Sequence, residues 1–127
     1  MLVVDDNPDS AQTLAEVIRM MGHEAQFHTS PALVEPALEL FKPHVLLLDI
    51  GMPEVDGWTL ARSLRPRYNR EQLKIVAVTG YAAASDHVRS REAGFDAHVA
   101  KPIDFEMLAR VLEQCFSQPV RLPTKVR

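Results

Sequence analysis

From His44 the chain runs Val45-Leu46-Leu47-Leu48-Asp49 and continues Ile50-Gly51-Met52-Pro53. A stretch so short and so apolar, ending abruptly in a carboxylate, suits a strand covered on both faces in a parallel sheet. Gly51 and Pro53 then take the backbone out of the sheet. Asp49 therefore stands where a buried strand surfaces, and open parallel sheets bind ligands at the carboxyl ends of their strands.

Two further runs have the same character. Met1-Leu2-Val3-Val4 ends in Asp5 and Asp6, and Lys74-Ile75-Val76-Ala77-Val78 ends in Thr79. A shorter one, Ala97-His98-Val99-Ala100, ends in Lys101-Pro102, and Glu24 to His28 reads as a mixed strand nearer a sheet edge. Helical signals fill the intervals. Asn7-Pro8-Asp9 supplies a cap, an early proline and a first-turn acid. Ala11, Leu14, Ala15, Ile18 and Met21 follow at helical spacing, and Gly22 is the stop. Ser30-Pro31 opens a second helix with Leu33, Ala37, Leu38 and Phe41 facing inward; Pro36 either kinks it or marks its true first turn. Trp58, Leu60, Ala61 and Leu64 form a third, halted at Arg65-Pro66. Residues 83–93 form a weakly amphipathic fourth helix closed by Gly94. Asp104 caps the last one, Ile103 staples against Leu108, and Phe105, Leu108, Ala109, Leu112, Cys115 and Phe116 face inward.

Strands alternating with helices in this way define an α/β fold with a parallel sheet. Right-handed crossovers leave few topologies, and the common five-stranded order 2-1-3-4-5 sets strands 1 and 3 side by side.

The bulk properties agree with one globular domain: 127 residues, 46% hydrophobic and 24% charged. A formal charge of -3 argues against general nucleic-acid binding, which wants a basic face. No apolar run approaches a membrane span, and no signal peptide is visible. Cys115, the single cysteine, excludes an internal disulfide, fits a reducing cytoplasm and reads as a buried small hydrophobe. Residues 1–117 read as the domain, and 118–127, with Pro119 and Pro123, as a polar linker or disordered tail. A strand beginning at the first residue suggests a chain trimmed from something longer.

Four of the five strands end in chemistry: Asp5 and Asp6, Asp49, Thr79 and Lys101. Singly, each has a plain reading as a cap, a β-former or a solvated cation. Jointly, at one sheet edge, they do not. Three crowded carboxylates raise at least one pKa unless a cation neutralises them, and all-oxygen ligands with open positions suit Mg²⁺. A metal beside a carboxylate, an ammonium and a hydroxyl is prepared for a phosphoryl group, with Asp49 as the nucleophile.

Leu2-Val3-Val4-Asp5-Asp6-Asn7, Leu46-Leu47-Leu48-Asp49-Ile50-Gly51-Met52-Pro53 with Asp56-Gly57, Val78-Thr79-Gly80 and Lys101-Pro102 together resemble the receiver domain of two-component response regulators. The likeness covers residues 1 to about 116. It implies a flavodoxin-like (βα)5 three-layer fold, with Asp49 taking phosphate from the histidine of a kinase or a phosphotransfer protein. It further implies Mg²⁺, or Mn²⁺ in its place, on Asp6, Asp49 and the Gly51 carbonyl, with Asp5 helping through water. Lys101 would pair with the phosphate, Thr79 would follow it, and a cis peptide at Lys101-Pro102 would aim the lysine.

Some positions depart from the family's commonest form. The switch partner on strand 5, usually Tyr or Phe, is His98, which could swing inward behind Thr79, titrate near neutral pH, or simply lie on the surface. Gly51 and Tyr81 occupy positions that tune phosphoryl lifetime. Small Gly51 leaves a water path open and Tyr81 can close it. The remaining histidines, His23, His28, His44 and His87, lack ligand spacing and are expected to be solvated; Trp58 and Tyr81 are expected to pack rather than recognise.

The resemblance implies a cytoplasmic, non-enzymatic signalling module, monomeric or weakly dimeric on phosphorylation, that signals through its helix 4, strand 5 and helix 5 face. It would stand alone or come from a larger protein such as a hybrid sensor kinase, without touching nucleic acid or membrane itself. A different class is a metal-dependent phosphatase or hydrolase, which needs a second acid near Asp49, with only Glu54 and Asp56 in the loop. Neither G-x-G-x-x-G nor a P-loop occurs, so a nucleotide-binding module is weaker. A degenerate, partner-binding receiver conflicts with the completeness of the site.

Overall fold

The computed structural model describes residues 1–49, 57–79, 94–101 and 103–116, without the side chains of Trp58 and Phe116. The described residues form five parallel strands: β1 (Leu2–Val4), β2 (Gln26–His28), β3 (Val45–Asp49), β4 (Lys74–Thr79) and β5 (Ala97–Ala100). Their order is β2-β1-β3-β4-β5, as the alternation of runs and helical signals predicts. The described helices are α1 (Pro8–Met20), α2 (Val34–Phe41), α3 (Gly57–Leu64) and α4 (Phe105–Phe116). The helix expected over 83–93, the loop after Asp49 and the tail at 118–127 lie outside the described residues.

Period-two alternation splits the core in two. Val3, Val45, Leu47, Val76, Val78 and Val99 pack with α1 and α4 on one face of the sheet. Leu2, Val4, Leu46, Leu48, Ile75 and Ala77 pack with α2 and α3 on the other. β3 is buried at every position, which is what an apolar run covered by helices on both sides requires.

The helix ends follow from local chemistry. Asn7 Oδ1 accepts the N–H groups of Asp9 and Ser10 and starts α1. Asp104 Oδ1 accepts the Glu106 N–H at 2.9 Å and starts α4.

Several expectations are corrected. β2 is two residues shorter than predicted: its ladder with β1 begins with the Gln26 N–H on the Met1 carbonyl at 3.0 Å, and the preceding Ala25 carbonyl accepts from Arg19 Nε and Nη2 at 3.1 and 2.7 Å instead of from a strand. The second helix opens with a 3-10 turn, Pro31–Leu33, so Pro36 lies in the first turn of α2, where its missing N–H has no helical partner to lose. That turn changes the phase of the inner face. Val34 is buried instead of Leu33, which is 46% exposed. Phe105, predicted to face the core, is 42% exposed, whereas Leu108, Ala109, Val111 and Leu112 are buried. Cys115 is only half-buried.

Candidate functional site

Register decides which side chains meet. Val4 lies opposite Leu48, so Asp5 and Asp49 leave adjacent strands at the same level. Asp49 lies opposite Val78, and Thr79, one residue further, opposite Ala100. The Lys101 N–H donates to the Thr79 carbonyl at 2.8 Å, which places the lysine beside the same edge.

Asp5, Asp6, Asp49, Thr79 and Lys101 gather there, and His98 lies two residues below the rim, opposite Ala77. Asp5, Asp49 and Thr79 are buried, Asp6 is exposed and Lys101 is about one-third exposed (34% for its side chain). Oxygens of Asp5, Asp6 and Asp49 lie within 4.8 Å of one another. Lys101 Nζ donates to Asp5 Oδ2 at 3.1 Å and to Asp49 Oδ2 at 3.3 Å. Alternation turns Asp5, Asp49 and Lys101 toward the α1 and α4 layer, and Thr79 and His98 toward the other. His98 is half-buried with Nε2 screened from solvent, rather than lying on open surface. Gly51, Tyr81 and Pro102, and with them the carbonyl ligand, the lifetime-tuning pair and the cis peptide, lie outside the described residues.

Electrostatics bind the cluster together. Burial pushes the Asp5 carboxyl up, but the Asn7 N–H at 2.9 Å and the Lys101 ammonium outweigh it, so it titrates below its ordinary value. Burial likewise pulls Lys101 down, and the hydrogen bond to Asp5 and the charge of Asp49 more than restore it, leaving the ammonium above its ordinary value. The Asn7 backbone contact is a positioning feature that sequence reading missed, since Asn7 announces itself only as a cap.

The donor set fits a hard divalent cation. With every group ionised, three carboxylates and one ammonium leave two net negative charges. An octahedral Mg²⁺ with oxygens at about 2.1 Å holds them roughly 3–4 Å apart, a small side-chain rotation from this arrangement. A groove of about 450 Å³ opens from Asp5 and Lys101 between α1 and α4, lined by Thr13, Val17, Ile103 and Phe105. No sequence signal marks this groove, because the spacing of Phe105 predicts a core position. Of the other histidines, His44 is exposed, while His23 and His28 are half-buried rather than solvated; His87 lies outside the described residues.

A doubly wound parallel sheet of order β2-β1-β3-β4-β5 defines the flavodoxin-like class of α/β proteins, whose ligand sites lie at the carboxyl ends of the strands. The chain belongs to the response regulator receiver domain family, whose model matches residues 1–113. It is 33% identical over 122 residues to an uncharacterised 14.6 kDa protein of Leptolyngbya boryana, covering 93% of this chain and 91% of that one. It is 30% identical over 105 residues to the polar-differentiation response regulator DivK of Brucella ovis, covering 80% and 83% respectively. The BeF3-activated N-terminal receiver domain of Klebsiella pneumoniae RstA superposes with a TM-score of 0.82 at 26% identity, over 92% of this chain and 97% of that one. The family is one of signalling domains. Among the described residues, no helix is long and apolar enough to cross a membrane.

Proposed function

We propose that this domain accepts a phosphoryl group on Asp49 from the phosphohistidine of a kinase or phosphotransfer protein. The observation that carries the reading is the convergence of Asp5, Asp6 and Asp49 within 4.8 Å, with Lys101 bonded to two of them. An Asp49 oxygen attacks phosphorus, an O–P bond forms, the N–P bond breaks, and its electron pair returns to the imidazole nitrogen. Asp5, Asp6 and Asp49 would hold Mg²⁺ or Mn²⁺ together with the Gly51 carbonyl, and the bound ion would neutralise charge on the phosphoryl oxygens. Lys101, already in contact with Asp49, is placed to pair with one of those oxygens, and the Thr79 hydroxyl to donate to another.

Thr79 moving toward the phosphoryl group vacates space on the face it shares with His98. That biases His98 and the segment over 83–93, a population shift read out on the face of that segment, β5 and α4. The domain works as a monomer or a weak phosphorylation-dependent dimer in the cytoplasm. Gly51 and Tyr81 set the phosphoryl lifetime, and a cis bond before Pro102 aims Lys101.

Asp49→Asn is expected to abolish acyl-phosphate labelling from acetyl phosphate with Mg²⁺, while the unaltered chain takes up one equivalent. Labelling of the variant at the same level overturns the nucleophile assignment. Many turnovers on small phosphoesters would indicate a phosphatase instead.

A further inference from the structure

At the opposite end of β5 from Lys101, Asp96 holds both backbone groups of Ile75. Its N–H donates to the Ile75 carbonyl at 2.8 Å, and its Oδ2 accepts the Ile75 N–H at 2.8 Å. Two arginines fix that carboxylate: Arg65 Nη2 at 2.5 Å on Oδ2 and Arg70 Nη1 at 2.6 Å on Oδ1. Arg65 is fixed in turn, donating to the carbonyls of Gly94 at 2.8 Å and Leu73 at 2.7 Å. Both Arg65 and Asp96 are largely buried.

β5 needs such a device. It has four residues, pairs among the described strands with β4 alone, and buries only Val99 fully. An edge strand with so little apolar alternation has a weakly specified register, and a one-residue slip turns every side chain to the opposite face. Lys101 follows the last residue of that strand. A slip would carry its ammonium from the α1 and α4 side, where Asp5 and Asp49 lie, to the other side.

We infer that Asp96, held by Arg65 and Arg70, is a positioning residue for Lys101, setting the register that delivers the lysine to the phosphoryl site five residues, about 16 Å, away. This rests on the proposed role of Lys101 in phosphoryl uptake.

The test is a double-mutant cycle on the full chain, with acetyl phosphate and Mg²⁺ as the probe and acyl-phosphate formation as the readout. Asp96→Ala is expected to slow uptake about ten- to a hundredfold, as for a misplaced reacting group. Asp96→Asn, which keeps a carbonyl oxygen for the Ile75 N–H, recovers most of the rate. In a Lys101→Ala background Asp96→Ala costs less than about twofold, although it lowers the urea midpoint equally in both backgrounds. An equal slowing with and without Lys101 would reduce Asp96 to a structural role and overturn the inference. If Lys101→Ala alone leaves uptake unchanged, the site reading itself is wrong. Arg65→Gln, which leaves both Asp96–Ile75 bonds chemically possible, runs through the same cycle if Asp96→Ala does not fold.

Discussion

Gly94→Ala combines two penalties that the structure allows to be separated. Gly94 has φ +107°, and a Cβ there would lie 2.6 Å from Arg65 Cγ, 3.1 Å from Nε and 3.4 Å from Cδ. Holding an L-residue in left-handed backbone costs about 1–2 kcal/mol. Displacing Arg65 adds an overpacking cost of about 1–3 kcal/mol, because its guanidinium is tethered to Gly94, Leu73 and Asp96 and cannot swing aside freely. Gly22 is the internal control, with φ +97° and nothing within 4 Å of the added carbon, so Gly22→Ala carries only the backbone penalty. Gly94→Ala should therefore be less stable than Gly22→Ala by about 2 kcal/mol. At this chain length that is roughly 6–12 °C in melting temperature. Urea unfolding of both variants measures it directly, as a midpoint difference at unchanged slope. Equal midpoints would refute the idea that Arg65 is held rigidly beneath Gly94.

Two titrations probe other parts of the fold. Because Asp5 titrates below its ordinary value, its ion pair stabilises the protein above the ordinary carboxylate range, and that stability is lost as the pH falls through the lowered value. Lys101→Ala is expected to move the Asp5 titration upward and to shift acid unfolding to higher pH. Carboxyl NMR checks this, and an unmoved Asp5 titration contradicts it. Cys115, pushed up to about 11 chiefly by burial, should alkylate slowly at pH 8 and accelerate steeply only toward pH 11. Rapid iodoacetamide labelling at pH 8 would contradict that placement.

The sheet and the rim acids were legible because their signals are local: an apolar run, then a charged or hydroxyl residue, then a breaker. Strand order needed only the alternation of periods and the handedness of crossovers. Leu33 and Phe105 depart from their predicted inward positions for one reason: helical phase does not hold through the first turn, where a 3-10 turn or a cap resets it. The Arg65–Asp96 pair was invisible. Its members are 31 positions apart, and each reads alone as solvated charge or a helix stop. A guanidinium gathering carbonyls from separate loops has no periodicity to betray it. Gly94 carries a trace of it, but in sequence it reads as the stop of the helix over 83–93.

The sheet parts the two apolar layers along its length, yet at its rim Asp5, Asp49 and Lys101 belong by parity to one layer and Thr79 to the other. A group seated there works like a rivet through a laminate, touching plies that otherwise communicate only across the strands. Changes buried in either ply, far from the rim, should therefore alter how tightly the rivet closes.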